Sequence, residues 1–436
     1  MVLCHAPLES TVDLRNLIQA EADRCVKCGL CLPHCPTYTQ AREEGESPRG
    51  RIALMQGVAA GTLPVGPRLE AHLDHCLSCR ACERVCPSGV RYGELLNAAR
   101  AILQAPDRPS QGSRRLADLA ITTLTDRARA ERLRLLLRLY QRSGVQWLAR
   151  RTGLLRALRL DRPEALIPPV GASGQAWKAF NPARGAERAQ VALFTGCASS
   201  VFDRETLSAA VRILTATGYS VHVPPAQACC GALDLERGRH DRACDLAIQN
   251  SEVFNTLDVS AVLYVASGCG ATLLDYGRSR IYETGGARPG IRPPIVEITR
   301  FLADALTDCG WPDDTPLRPL NRRAAIHEPC SLRNVVRDVR GPYELLGTVP
   351  ELELISLPGN AVCCGAAGSH MLEEPDAADA LLAEKIEALR TAETPLLLTT
   401  NIGCAMHLAA GARRAGISVE VLHPVTLVER QMEMKR

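Results

Sequence analysis

The chain has 436 residues, more than one typical domain needs, so its length predicts two or three domains. Its hydrophobic fraction of 46% is that of a globular protein, and no apolar run is long enough to cross a bilayer. A net charge of +3 and an aromatic fraction of 4% argue against nucleic acid as a partner, because such surfaces need clustered positive charge and stacking rings.

Nineteen cysteines are the main departure from an ordinary composition. Most of them fall into short motifs, and the N-terminus carries no basic-then-apolar signal pattern. The sequence therefore predicts a reducing cytoplasm in which thiolates hold metal. Any membrane contact is expected to be peripheral or through a partner. Cys4, beside a helix predicted over residues 12–20, stands outside the motifs and is expected to be a plain thiol.

Two runs of the form C-x2-C-x2-C-x3-C-P follow, at residues 25–36 and 76–87. This spacing wraps three thiolates round one iron–sulfur cubane and sends the fourth to the other cubane of a pair. Zinc is the weaker interpretation, because zinc ribbons use two C-x2-C pairs and no fourth Cys-Pro. The runs predict two [4Fe–4S] clusters, held at site one by Cys25, Cys28, Cys31 and Cys86, and at site two by Cys76, Cys79, Cys82 and Cys35.

Between the runs, Ser47-Pro48-Arg49-Gly50-Arg51 precedes a helix predicted over residues 52–60. Arg49 and Arg51 have two interpretations of equal weight. Either they supply positive charge near the clusters or touch a partner, or they are ordinary surface charges at the start of a helix.

Residues 105–182 contain no cysteine. Within them, residues 131–160 interleave eight arginines with leucines and predict one or two basic amphipathic helices. Such helices lie on an anionic membrane or, more commonly, pack on their own protein with a solvated arginine face. The face predicted to be apolar comprises Leu133, Leu136, Leu137 and Tyr140. A Pro- and Gly-rich stretch at residues 163–183 predicts a linker.

The C-terminal part is an internal repeat. Cys330, Cys364 and Cys404 follow Cys197, Cys230 and Cys269 by 133, 134 and 135 residues. Each of the first and last cysteines follows a short apolar run. Helical patterns such as residues 205–217 and 376–389 alternate with these runs. Each copy is therefore predicted to be an α/β sheet with parallel strands.

Ligands of such sheets bind outside the carboxyl ends of the strands, where these cysteines are expected to converge. The alternative is a set of inert buried thiols, but two copies in matching register favour ligation of a metal or cluster. The predicted sets are Cys197, Cys229, Cys230 and Cys269 for site three, and Cys330, Cys363, Cys364 and Cys404 for site four.

The doubled Cys-Cys-Gly motif resembles the cysteine-rich CCG domain pair of heterodisulfide reductase subunits. A two-cluster module ahead of two such domains resembles the iron–sulfur subunit of bacterial glycolate oxidase. The residues that carry this second resemblance are 47–51, 327–330 and 363–368. Iron–sulfur subunits of glycerol-3-phosphate dehydrogenase and of lactate utilisation are similar.

The resemblance implies an α+β multidomain chain. A helical two-[4Fe–4S] ferredoxin-like module is expected at residues 1–104 and a basic helical connector at 105–188. Two α/β CCG repeats follow, repeat one at 189–315 and repeat two at 316–436.

Both repeats depart from the fuller family pattern, which ends in C-x2-C. Thr272 and His407 stand where the last cysteine would be. The disulfide chemistry of heterodisulfide reductases is therefore not expected. A cubane, a zinc ion or a site completed by His407 stays open for one or both repeats, with a cluster expected in repeat two.

No stretch has a flavin or nicotinamide fingerprint, since residues 268–270 lack a third glycine, and no catalytic acid–base set is evident. The resemblance implies an electron-transfer subunit. A FAD-binding flavoprotein partner would oxidise a 2-hydroxy acid such as glycolate, and the clusters would pass electrons toward quinone or a membrane acceptor. The rival hypotheses are a heterodisulfide reductase-like subunit, an iron–sulfur subunit of lactate or glycerol-3-phosphate dehydrogenase, and a non-redox protein with structural clusters.

Overall fold

Short helices build the ferredoxin-like module around the two cysteine runs. The computed structural model describes residues 13–104, 112–170, 177–283 and 286–433, so Cys4 lies outside the described residues. The first helix begins at Asp13, whose carboxylate accepts the N–H groups of Arg15 and Asn16. The helices of this module are α1 (Leu14–Ala22), α2 (Pro36–Ala41), α3 (Pro48–Ala59), α4 (Pro67–Asp74), α5 (Ala81–Arg84) and α6 (Tyr92–Leu103), with 3-10 turns at Leu32–His34 and Glu44–Glu46.

Five further helices form the connector: α7 (Gly112–Thr125), α8 (Arg127–Arg142), α9 (Val145–Arg151), α10 (Leu154–Ala157) and α11 (Asp161–Ala165). Gly144 and Gly153 separate α8, α9 and α10 with φ values of +80° and +73°, a conformation that favours glycine. The predicted apolar face is only partly packed, because Leu136 is 64% exposed, as are Leu135 and Leu139 beside it at 53% and 65%.

The first sheet has the strand order β1-β3-β2-β4-β5, and all neighbours are parallel except the antiparallel pair β1–β3. Its strands are β1 (Phe180–Asn181), β2 (Ala189–Phe194), β3 (Tyr219–His222), β4 (Val262–Tyr264) and β5 (Ile295–Glu297). The stretch predicted to be a linker therefore contributes an edge strand, β1.

The second sheet is parallel throughout, in the order β7-β6-β8-β9. Its strands are β6 (Arg322–His327), β7 (Leu352–Ser356), β8 (Leu396–Thr399) and β9 (Glu420–Leu422). These two sheets confirm the predicted fold class of a helical module followed by two α/β repeats.

Helices cover both sheets. Those of repeat one are α12 (Cys197–Phe202), α13 (Arg204–Ala216), α14 (Ala232–Glu236), α15 (His240–Asn255), α16 (Ser267–Tyr276) and α17 (Ile298–Cys309), with a 3-10 turn at Arg280–Tyr282. Those of repeat two are a π-helix (Ser331–Val336), α18 (Arg340–Leu346), α19 (His370–Glu373), α20 (Pro375–Ala392), α21 (Ile402–Arg414) and α22 (Pro424–Gln431). Among the described helices, none has the length and apolar content needed to cross a membrane.

One hydrophobic core joins the two repeats. It contains Leu193 and Leu263 from the first sheet together with Ile326 and Leu398 from the second. Between α13 and α22, the hydroxyl oxygens of Thr206 and Thr426 lie 2.7 Å apart in a buried hydrogen bond. The two sheets are thereby held in one orientation, which fixes how their cysteine-bearing ends face each other.

Candidate metal centres

Site one lies near the surface. One cavity is lined by Cys25, Cys28, Cys31 and Cys86, and Cys82 reaches its wall as well. The loop turns at Gly29, whose φ is +84°. Cys28 is exposed. The structure thus brings the last cysteine of the second run to the first three of the first run.

Site two is a separate and more buried cavity, lined by Cys35, Cys76, Cys79 and Cys82. Burial raises the pKa of the Cys79 and Cys82 thiols well above the usual value, because a thiolate is poorly solvated there. A cation or cluster in the cavity would favour the thiolate forms. Four sulfurs around each cavity fit a cubane, which takes four thiolates.

The two arginines of residues 47–51 lie beside these cavities. Arg51 is 1% exposed, lines site two and forms a buried ion pair with Glu46. Arg49 lines site one, where its Nη1 donates to the Lys27 carbonyl over 3.3 Å. Of the two interpretations drawn from the sequence, the structure favours positive charge close to the sulfurs.

Site three gathers its four cysteines at the carboxyl ends of β2 and β4. The sulfurs of Cys229 and Cys197 are 3.4 Å apart, and Cys230 pairs with Cys269. The hydrogen bond from Cys229 and burial together raise the pKa of Cys197. Gly231, with a φ of +81°, turns the chain so that both neighbouring sulfurs face one place.

The Cys-Cys segment of repeat one is held from behind by side chains. Asn250 donates to the Cys229 carbonyl over 3.0 Å, and the Tyr276 hydroxyl donates to the Cys230 carbonyl over 2.9 Å. These bonds satisfy buried backbone oxygens and fix where the two thiols point.

Site four has the same plan at the carboxyl ends of β6 and β8. The sulfurs of Cys364 and Cys404 are 3.1 Å apart, and those of Cys330 and Cys363 are 3.9 Å apart. Gly365, with a φ of +88°, makes the corresponding turn. Each predicted set of four cysteines is therefore brought together.

The histidine near site four is His327, which the sequence interpretation missed. A ring nitrogen of His327 and the sulfurs of Cys364 and Cys404 all lie within 4.8 Å of one another, and the three side chains are buried. His407, considered earlier as a ligand, instead places Nε2 3.3 Å from the Ala378 carbonyl and is not part of this group. The available signal was position, since His327 ends the strand that delivers Cys330 to the site.

Sites three and four open into one cavity of ≈ 650 Å³ that all eight of their cysteines line. Leu77 and Arg80 of the ferredoxin-like module line it too. Site two abuts site four directly, because Leu77 packs in one apolar cluster with Cys363 and because Asn334 donates to the Cys79 carbonyl over 2.8 Å.

The sites define an iron–sulfur protein with one dicluster module and two cysteine-rich domains. Family models agree: a 4Fe-4S dicluster domain matches residues 21–90, and a cysteine-rich domain matches 191–274 and 324–409. A third model, the linker region of the glycolate oxidase iron-sulfur subunit, matches residues 112–167 and so covers the connector.

Relatives narrow this class. A probable glycolate oxidase iron-sulfur subunit of Bacillus subtilis is 34% identical over 409 residues, 92% of each chain. The glycolate oxidase iron-sulfur subunit of Escherichia coli is 31% identical over 97% of this chain and 98% of that one. Lactate utilization protein A of Macrococcus caseolyticus is 25% identical over 56% of this chain and 98% of its own length.

The chain belongs to the family of glycolate oxidase iron–sulfur subunits. It is an iron–sulfur electron-transfer subunit of the glycolate oxidase and lactate utilisation type, and so part of an oxidoreductase complex. The resemblance drawn from the cysteine motifs is confirmed.

Proposed function

We propose that this chain takes electrons from a FAD-binding flavoprotein subunit that oxidises glycolate or a related 2-hydroxy acid, and delivers them toward quinone or another membrane acceptor. The observation that carries the proposal is the succession of contiguous cysteine sites, from exposed site one through site two to site four. FAD belongs to the partner, and this chain does not act on the substrate alone.

The proposed ligands are those that line each cavity. Cys25, Cys28, Cys31 and Cys86 would hold one [4Fe–4S] cluster, and Cys76, Cys79, Cys82 and Cys35 the other. When bound, these clusters supply one-electron redox chemistry. The role of the chain is to keep the sulfurs in place, exclude water from site two and position positive charge from Arg49 and Arg51 nearby.

The surface around site one suits the flavoprotein partner. Val26 and Leu30 flank the exposed Cys28 and are themselves 69% and 55% exposed. Exposed apolar side chains grouped at a functional loop are typical of an interaction surface. Docking there would place the partner against the outermost of the four sites.

The connector supports an acceptor at a membrane surface. Leu136, Leu139 and Trp147 are 61–65% exposed on helices that also carry many arginines. Apolar and basic side chains together suit an anionic bilayer surface. Unpaired thiols at all seventeen cysteines of the described chain suit a reducing cytoplasm.

Sites three and four would bind a further iron–sulfur cluster or zinc. The four sulfurs of each set share a small buried volume, where thiolates repel one another unless a cation offsets their charge. A second candidate function, disulfide or thiol redox chemistry at these sites, is favoured by the ≈ 650 Å³ cavity that both sets line.

The ligand assignment is tested on anaerobically purified chain. We expect about eight iron atoms per chain at sites one and two, four per cubane. Cys86→Ala should lose the iron of site one and Cys35→Ala that of site two, read from iron content and electron paramagnetic resonance of the reduced protein. Cys244→Ala, a buried cysteine outside the four sites, is the control. Zinc in place of iron at these sites would overturn the assignment.

The electron-transfer role is tested with substrate. Glycolate should leave the absorbance of the isolated chain unchanged and bleach it once the flavoprotein subunits are added. Bleaching by glycolate with the chain alone would contradict the proposal. Reduction of a small disulfide by the dithionite-reduced chain, lost in Cys364→Ala, would favour the second candidate instead.

A further inference from the structure

We propose that repeat two holds a single thiophilic divalent cation, of which Zn²⁺ is the type, through His327, Cys364 and Cys404. Repeat one cannot form this mixed imidazole–thiolate centre. The inference deepens the proposed metal content of site four and rests on that part of the proposed function. It does not depend on which partner supplies electrons or which acceptor takes them.

The three ligand atoms are already close to where a tetrahedral ion needs them. Zinc binds sulfur at about 2.3 Å and imidazole nitrogen at about 2.0–2.1 Å, so its ligands lie roughly 3.3–3.8 Å apart. The sulfurs of Cys364 and Cys404 are 3.1 Å apart, and the nitrogen of His327 is within 4.8 Å of both. Side-chain adjustments of about 1 Å or less, judged from those bond lengths, would complete the geometry.

The imidazole is oriented by a neighbour. Thr399 on β8 pairs in register with His327 on β6, and its hydroxyl oxygen lies 3.0 Å from Nδ1. When Nδ1 carries the proton and donates to this oxygen, Nε2 keeps its lone pair for a metal. Histidine ligands in proteins are commonly fixed in this way by a partner of the other ring nitrogen.

The charge at the site is also arranged for thiolates. Lys385 is 1% exposed, is held by the Gly359 carbonyl, and acts electrostatically on the sulfurs of Cys364 and Cys404. A buried ammonium beside two thiolates reduces the negative charge that the ion must balance. Cys364 and Cys404 line the large cavity, so the fourth position of the ion would take water or another ligand from that side.

Repeat one lacks both features at the matching positions. His327 stands three residues before Cys330, whereas Phe194 stands three residues before Cys197. Lys385 stands 21 residues after Cys364, whereas Ser251 stands 21 residues after Cys230. With no imidazole and no buried ammonium at those places, repeat one offers thiols alone.

The test is zinc K-edge X-ray absorption on the full chain loaded with Zn²⁺ alone, in a background of Cys197→Ala and Cys269→Ala that disables repeat one. We expect a shell of sulfur and nitrogen with the outer scattering of one imidazole. His327→Phe, which installs the residue of repeat one, should remove that scattering and weaken Zn²⁺ binding at least about tenfold in chelator competition. His407→Ala is the matched histidine control and should leave both unchanged.

An all-sulfur shell in the unsubstituted site would overturn the proposal without any histidine variant, so misfolding of His327→Phe cannot hide the answer. An iron–sulfur cluster in repeat two, or equal Zn²⁺ affinity in His327→Gln and its parent, would also overturn it. The iron content and magnetic signals of sites one and two, read on the same sample, report separately on the electron-transfer proposal.

Discussion

The two cysteine-rich repeats have one scaffold and two chemical environments. In both, the first and third cysteine segments follow the two central strands, and Phe194 pairs with Tyr264 as His327 pairs with Thr399. The side chains that face the sulfurs differ, aromatic in repeat one and polar in repeat two. The comparison teaches that the backbone register positions the thiols, whereas a few side chains at fixed offsets set what the thiols can bind.

The largest expected effect concerns packing under the strand ends. A Cβ added at Gly270 would lie 2.1 Å from ring atoms of Tyr264, which is 1% exposed and cannot withdraw to solvent. Repeat two has Ala405 at the same place, opposite the smaller Thr399. Gly270→Ala should therefore destabilise repeat one by about 3 kcal/mol, the upper end of overpacking effects.

Calorimetry of the metal-free chain measures this effect as a lowered transition temperature. The converse change, Ala405→Gly, serves as the control and should alter stability by no more than about 1 kcal/mol, the helix propensity difference. Similar effects of the two substitutions would mean that the repeats are packed alike at this position.

The second effect concerns charge. Lys385→Ser installs the residue of repeat one and should weaken Zn²⁺ binding by repeat two about 10–100-fold, as changes next to metal ligands commonly do. Lys385→Met keeps much of the packing without the charge and should behave in the same way. Unchanged affinity in Lys385→Met would show that the ammonium has no electrostatic role at the site.

The smallest effect is a difference in pH response between two helix caps. Glu297 begins α17 in repeat one by accepting the N–H of Thr299 over 2.8 Å, and burial raises its pKa to about 7. His423 begins α22 in repeat two by accepting the N–H of Val425 over 3.1 Å, and burial lowers its pKa to about 4.

Their contributions to stability change with pH in opposite directions. Between about pH 4.5 and 7 the folded chain binds more protons at Glu297 than the unfolded chain, so this contribution to stability falls as the pH rises. Between about pH 4 and 6.5 the unfolded chain binds more protons at His423, so that contribution is lost as the pH falls. Hydrogen exchange corrected for intrinsic rates should show opposite trends of about 1 kcal/mol for α17 and α22.

Glu297→Gln and His423→Asn should each flatten the trend of their own helix and leave the other unchanged. Parallel trends in the two helices, or trends that persist in these variants, would contradict the assignment to the caps.

Much of this molecule could be predicted from cysteine spacing. A ligand motif needs fixed offsets, so the two runs and the 133–135-residue repeat predicted a helical module and two α/β sheets. Apolar runs predicted β2, β4, β6 and β8 because those strands are buried on both faces. The edge strand β1 was missed, since two residues pairing with β3 leave no periodic pattern.

The surroundings of the thiols were harder to predict. His327 and His407 are equally plausible ligands in the sequence, and only the strand direction brings His327 toward Cys364 while α21 carries His407 toward Ala378. The burial of Lys385 depends on the packing of α20, which motif spacing does not report. Cysteine offsets thus encode where ligands meet, and tertiary packing decides what else meets them.

The cover that repeat two places over site two affects how the protein can be made. Cys79 is synthesised about 250 residues before Cys330 and Cys363, which lie in the apolar cluster with Leu77. At about 5–20 residues per second, the loop of site two stays uncovered for roughly 12–50 seconds of synthesis. Delivery of iron and sulfide to site two is least hindered in that interval, whereas site one, with its exposed Cys28, stays accessible after the chain is complete.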